Sequence, residues 1–311
     1  MSLDIISHVF ESLISIDNLS IQLIRINHSK VTGTKYAARK IEIKDDDLTS
    51  LLTSIFRLNS TGKKSIREKY NEVREYDGTA EEKSIYRLDG DSPLVQSEYQ
   101  SLLNEIANPE TENDPFNYQS AYLIKGEINS IDSDENRTRI ILISCMNPVT
   151  SLKNKYRFFD NQFKKADDRI LNLRNTFDIL IVNHTVYFLT MAGETFFHME
   201  HAYKSICAQT VDELIASELF SNPEAFKTVA TSKHNPRRFV SYDKNNFEYL
   251  KQYDNRKHIA DMFQIELTDE GIFNTTTEVN NNKIVKLLCN KGMVHPISEY
   301  PVEVNGTRPW S

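Results

Sequence analysis

The segment Phe177–Leu189 restricts the fold of this chain more than any other. It reads Phe-Asp-Ile-Leu-Ile-Val, then Asn183-His184, then Thr-Val-Tyr-Phe-Leu. Two short runs of branched and aromatic side chains separated by two residues form the pattern of a β-hairpin. Asn183 suits the turn because asparagine tolerates positive φ. Neither run alternates apolar with polar residues, so both faces of the hairpin need cover. Such a hairpin belongs inside a layered sheet.

The rest of the chain supplies candidate layers. Alternating apolar residues predict strands at 19–27, 36–43, 119–128 and 138–145, and a closing strand at 300–304. Two strand-like pieces, Lys69–Tyr76 and Ser84–Leu88, flank an Asp77-Gly78 turn. Helical spacing marks 5–16, a stretch from Asp47 onward, 95–107 and 283–289. Another helix is expected from Gly193–Thr195, burying Phe196, Met199, Tyr203 and Ile206, and the capping-box pattern Thr210-x-x-Glu213 predicts a new helix after it. Strands and helices intermingle without βαβ regularity, so the expected class is α+β: two mixed α/β lobes with antiparallel hairpins flanked by helices. Asn108-Pro109 and the acidic loop up to Pro115 set the expected boundary, with an N-terminal α+β domain over 1–114 and a C-terminal α+β domain over 115–311.

Charge is unevenly distributed. Residues 153–174 hold seven Lys/Arg against three Asp, and residues 227–257 hold eight Lys/Arg against three acids. The remaining residues carry 22 basic against 38 acidic groups, within a chain of net charge −7. Cationic stretches on an otherwise acidic chain are the footprint of a polyanion-binding surface. In the first stretch the candidate phosphate contacts are Lys153, Lys155, Lys164 and Lys165, interleaved with Arg157, Tyr156, Phe158, Phe159 and Phe163. In the second they are Lys233, Arg237, Arg238, Lys244 and Lys251. There Asn235-Pro236 reads as a helix start, with asparagine as N-cap and proline in the first turn. Arg237 and Arg238 would then lie where the helix dipole disfavours cations, a conflict that a bound phosphate would relieve. A continuous helix would align Arg237, Lys244 and Lys251 as one ridge, with Phe247, Leu250 and Tyr253 toward the core. The bland alternative is a solvated face whose cations pair with acids elsewhere in the fold.

No motif names an enzyme: Walker, nucleophile-elbow and zinc-deaminase patterns are absent. His198-x-x-His201 has the spacing of a metal pair but lacks a third ligand, and Asp178 lacks the second acid and lysine that a metal-dependent nuclease strand requires. Neither catalytic nor metal residues are expected, and no cofactor. The cysteines Cys145, Cys207 and Cys289 are far apart and read as buried reduced thiols. No apolar run reaches the roughly 20 residues of a membrane span, and the first residues do not resemble a signal peptide.

The block from Thr176 to Phe197 resembles the KwaB family of the Kiwa anti-phage defence system, as do Glu75-Tyr76-Asp77, Tyr86-Arg87-Leu88 and Tyr300-Pro-Val-Glu-Val-Asn-Gly306. The likeness is strongest from about residue 119 onward and rests on structural motifs, so no enzymatic residue is carried over. The resemblance implies a cytoplasmic, DNA-binding effector held at the inner face of the membrane by the membrane protein KwaA, blocking phage DNA replication or late expression. Together with the charge pattern it predicts a non-enzymatic subunit that binds DNA largely without sequence preference, and a homodimer would double its phosphate contacts. A divergent metal-dependent nuclease and a non-catalytic adaptor docking on a membrane protein are the alternatives.

Overall fold

The Phe177–Leu189 hairpin lies inside an eight-stranded sheet, as its apolar faces require. The computed structural model describes residues 3–29, 33–61, 65–111, 114–129, 137–151, 155–159, 162–166, 169–232, 234–294 and 301–303. The chain divides into two compact units, Met1–Tyr76 with Glu82–Met199 and Asp77–Glu81 with Glu200–Ser311.

The first unit contains, in order, α1 (Leu3–Ser12), β1 (Asp17–Ser29), β2 (Gly33–Ile41), α2 (Asp45–Ser60), α3 (Ile66–Lys69), β3 (Glu72–Glu75), β4 (Ser84–Asp89) and α4 (Gln96–Ala107). It continues with β5 (Ala121–Asn129), β6 (Arg137–Ser144), β7 (Val149–Ser151), β8 (Lys155–Phe159), β9 (Gln162–Ala166), β10 (Arg169–Leu171), β11 (Ile179–Val182), β12 (Thr185–Phe188) and α5 (Ala192–Phe196). The sheet order is β2-β1-β5-β6-β11-β12-β4-β3. Its neighbours are antiparallel except β3 and β4, which pair in parallel.

Alternation along the hairpin fills two cores, because successive strand residues point to opposite faces. Leu180, Val182 and Tyr187 join Ile6, Val9 and Phe10 of α1 and Leu52 and Ile55 of α2 in one cluster. Phe177 meets Phe10 with ring centroids 6.3 Å apart. Ile179, Ile181, Val186 and Phe188 are also buried, and Phe188 packs against Phe197, just beyond α5, at 6.1 Å.

The second unit is helical. It contains α6 (Met199–Ile215, starting at the division), α7 (Pro223–Ala230), α8 (Asn235–Arg238), α9 (Lys244–Lys251), α10 (Tyr253–Met262), α11 (Glu278–Leu288), β13 (Gly292–Val294) and β14 (Pro301–Glu303). Its core joins Cys207, Val211 and Leu214 of α6 to Phe226 of α7, Phe247 of α9 and Ile284 of α11. Phe220 stacks on Phe226 at 4.3 Å.

The α+β class holds, with eleven α-helices and the mixed eight-stranded sheet among the described residues. Two mixed lobes divided at 114/115 do not describe the arrangement. β1 pairs with β5 and β12 with β4, so segments from both sides of that boundary share one sheet. Glu110 of the acidic loop is itself bonded to β2, its N–H donating to the Ala38 carbonyl and its carbonyl accepting from the Lys40 N–H. Thr210 starts no new helix, because Cys207, Val211 and Leu214 continue one buried stripe and α6 runs straight through. The Asp77-Gly78 turn closes no hairpin: Asp77–Glu81 belongs to the second unit, and β3 and β4 return in parallel.

Candidate nucleic-acid interface

The first basic stretch folds as a β-ribbon inserted between β6 and β11. β7 pairs with β10 from Val149↔Leu171 to Ser151↔Arg169. Beyond them β8 pairs with β9 from Lys155↔Ala166 to Phe159↔Gln162, as a two-stranded sheet of its own. The register sets Arg157 opposite Lys164 and Tyr156 opposite Lys165. The two strands thus hold four Lys/Arg and no acid. The second of these strands, β9, occupies 162–166. Of the candidates, Lys155, Lys164 and Lys165 lie on these strands, with only their main chain described, and Lys153 lies outside the described residues.

The root of the ribbon is tied down. β6 and β11, which flank the insertion, pair directly through Ile143↔Ile179. The Asp178 carboxylate closes the junction: Oδ2 accepts from the Cys145 N–H at 2.9 Å and Oδ1 from the Thr190 hydroxyl at 2.6 Å. The Asp178 carbonyl accepts from the N–H groups of Leu189 and Thr190. The Tyr122 hydroxyl donates to the Arg174 carbonyl, and Asn59 Nδ2 donates to the Asn175 carbonyl at 3.0 Å.

The second basic stretch is organised differently. α8 is only four residues long, and a short 3-10 turn at Phe239–Ser241 separates it from α9. Asn235 is buried and caps nothing; its Nδ2 donates to the Val229 carbonyl at 2.9 Å, while its Oδ1 accepts from Arg238 Nη1. The helix therefore starts at the expected place, but without the expected asparagine cap. The expected ridge is broken as well, because α9 begins at Lys244 under its own cap, the Asp243 side chain accepting from the Asn245 N–H. Arg237 is held from the main-chain side by the Asp77–Glu81 segment. A Cβ on Gly78, whose φ is +77, would fall 2.4 Å from the Arg237 carbonyl oxygen.

Several charges of this stretch are engaged within the unit. Lys251 Nζ lies 2.6 Å from Glu248, and Lys227 Nζ lies 2.7 Å from Asp212. Arg256 is buried, donating to the carbonyls of Gly271 (2.7 Å), Leu250 (2.8 Å) and Lys251 (3.0 Å). Burial pulls the Arg256 pKa down. Lys244 and Lys251 share a shallow surface depression with Glu213 and Glu248. Lys233 lies outside the described residues. Phe247 and Leu250 face the core as expected, but Tyr253 is half exposed.

Comparison with known families meets the chain at these elements. A family model described as Kiwa protein KwaB-like matches residues 130–295, just over half of the chain. The chain belongs to this KwaB family. It is therefore a component of the Kiwa anti-phage defence, in a family whose members imply a partner from the same system. Neither the search of curated proteins nor that of solved structures found a match.

The KwaB match covers both basic stretches and Asp178. Asp178 is engaged as the clasp of the ribbon root, which is a structural task. The cysteines are inert: burial, followed by the nearby Asp178 charge, raises Cys145 well above an ordinary thiol, and burial pushes Cys207 and Cys289 up to about 12. A thiol held protonated at neutral pH is a poor nucleophile. His198 and His201 join no three-residue cluster of metal-ligating groups among the described residues. Among those residues, no helix is long and apolar enough to cross a membrane.

Sequence reasoning missed β9 and the clasp. Gln162-Phe-Lys-Lys-Ala has no period-2 alternation, so the pattern carried no signal for the strand. Nothing local announces the clasp, because its partners lie 33 and 12 residues away.

Proposed function

We propose that this KwaB-family chain is a non-enzymatic DNA-binding effector, with the β8–β9 ribbon as its principal contact. The reading is supported above all by one observation: an antiparallel ribbon bearing Lys155, Arg157, Lys164 and Lys165 with no acid on either strand. A two-stranded ribbon fits the major groove of duplex DNA, and lysines and arginines along it displace condensed counterions from phosphates. Contacts of that kind carry no base readout, so binding is largely indifferent to sequence. Lys153 adds a further phosphate contact in this reading. Lys233, Arg237, Arg238 and Lys244 contribute secondary contacts, and Lys251 little, since Glu248 already holds it.

In the cell the chain acts at the inner face of the membrane through KwaA and blocks phage DNA replication or late expression. A homodimer would present two ribbons and roughly double the phosphate contacts.

Titrating binding against salt on duplex and single-stranded DNA tests the reading. Each phosphate contact contributes about 0.9 to the slope of log K against log salt on duplex DNA. Replacing Lys155, Arg157, Lys164 and Lys165 with glutamate is expected to abolish binding to all duplex sequences alike and flatten that slope. Lysines on an open ribbon also block edge-to-edge pairing. If that were their whole task, the variant would self-associate more, or behave as wild type, and still bind DNA with the original slope, which would overturn the proposal.

A further inference from the structure

The turn of the central hairpin carries a histidine that neither the sheet nor the ribbon uses. His184 Nε2 lies 3.3 Å from Asp89 Oδ1 and 3.2 Å from Asp91 Oδ2. One ligand atom from each of the three residues lies within 4.8 Å of the others. Sheet register brings them together: Asp89 ends β4 and pairs with Thr185, the residue after His184. Asp91 follows two residues later, and its N–H donates to Asp89 Oδ1 at 2.9 Å.

The imidazole is positioned from its other side. The Gly90 N–H donates to the His184 carbonyl at 2.9 Å, and the Tyr99 ring meets the imidazole edge-on with centroids 5.2 Å apart. A side chain at residue 90 would destroy this packing, since a Cβ there would fall 2.5 Å from Tyr99 Cε1 and 2.9 Å from His184 Cε1. Asn183 holds the turn with φ of 52, its Oδ1 accepting from the Arg139 N–H at 3.2 Å.

An imidazole nitrogen with two carboxylate oxygens is a donor set for a borderline first-row divalent cation. Metal–ligand bonds of about 2.0–2.2 Å place neighbouring donor atoms about 3.0–3.5 Å apart. Both histidine–carboxylate separations fall in that interval. The two carboxylates repel each other across the imidazole, and a cation between the three groups offsets that repulsion. Each of the three side chains is between 45% and 69% exposed, which leaves the remaining coordination positions open to water.

We propose that Asp89, Asp91 and His184 form a binding site for a first-row divalent cation of the Zn²⁺ class, fastening the end of β4 to the β11–β12 turn. The site is independent of the DNA-binding reading, and its test does not involve nucleic acid.

Calorimetric titration of the untagged, chelator-treated full chain with ZnCl₂ provides the test, with melting followed in parallel. Wild type is expected to show one saturable Zn²⁺ site involving these residues and a melting temperature that rises with added Zn²⁺. His184→Ala is expected to lose both while melting like the metal-free wild type. Asp91→Asn is expected to weaken the site at least about tenfold. Absence of saturable binding in wild type would leave only a histidine flanked by two carboxylates and overturn the proposal. Unchanged binding in His184→Ala would place the ion elsewhere and overturn it equally. Should the alanine variant fail to fold, Asp91→Asn decides the question, because its side chain is 65% exposed and no core depends on it.

Discussion

The two basic stretches are alike in the sequence and unlike in the fold. Residues 153–174 become a ribbon whose paired strands β8 and β9 hold basic residues and no acid. Residues 227–257 become short helices in which the cations have local work: Lys227 pairs with Asp212, Lys251 with Glu248, Arg238 with Asn235, and Arg256 gathers three carbonyls. Net charge counts both stretches as cationic. Whether a cation can serve a polyanion depends on what already surrounds it, and a buried arginine bound to carbonyls has no such freedom.

The sharpest way to break this comparison is to neutralise each region separately. Replacing Lys155, Arg157, Lys164 and Lys165 with alanine is expected to weaken duplex DNA binding about a hundredfold at moderate salt. Replacing Lys227 and Lys251 with alanine is expected to leave it within about twofold, since those charges are already paired. Equal losses measured by fluorescence anisotropy would erase the distinction between ribbon and helices. Arg256→Ala should behave in the opposite way. It leaves three carbonyls without this donor, two of them buried, so denaturant melts are expected to show a loss of about 3 kcal/mol with DNA affinity per folded molecule unchanged.

Alkaline pH sharpens the comparison from the helical side. Cys207 and Cys289 ionise near 9.0 when unfolded and are pushed up to about 12 by burial in the folded unit. A raised thiol pKa means that the native state holds its proton longer than the unfolded state does. The stabilisation is thus complete below pH 9 and is lost as pH rises from 9 toward 12. A Cys207→Ala/Cys289→Ala variant is expected to show a flatter decline over that window. A decline parallel to wild type would mean that the thiols are not held neutral by burial.

At the ribbon root, Asp178→Asn keeps an acceptor but loses the charge. The expected cost is about 1 kcal/mol, read as faster amide exchange at Cys145, whose N–H the carboxylate holds. Full protection there would show that the ribbon does not depend on the clasp. The smallest effect is expected for Lys251→Ala, about 0.5 kcal/mol or less in denaturant melts, because its partner Glu248 is half exposed.

How much was legible follows from what each signal records. The hairpin was readable because an unbroken apolar run reports burial on both faces, and Ile179, Leu180, Ile181 and Val182 are all buried. β5 and β6 were readable from the spacing of their apolar residues. Strands from both sides of 114/115 share one sheet because pairing is settled by backbone hydrogen bonds between distant segments, which a local acidic loop does not record. A helix does start at Asn235-Pro236, but its cap does not form, because an asparagine that suits a cap serves equally well as a buried bridge between the Val229 carbonyl and Arg238. Local preference cannot distinguish the two. The Asp89, Asp91 and His184 cluster was invisible for a related reason: the histidine lies more than ninety residues beyond the carboxylates, and only the β4–β12 register brings them together.

The sequence by itself determined that this chain forms an α+β protein around a twice-covered hairpin, with its positive charge in two places. Those properties follow from side-chain periodicity and from counting, both of which are local. Only the tertiary structure decided which cations are already held, where the sheet takes its strands, and which groups gather at the hairpin turn. Electrostatic and hydrogen-bonding partners act over a few ångströms, and residues that close are brought together by folding from far apart along the chain.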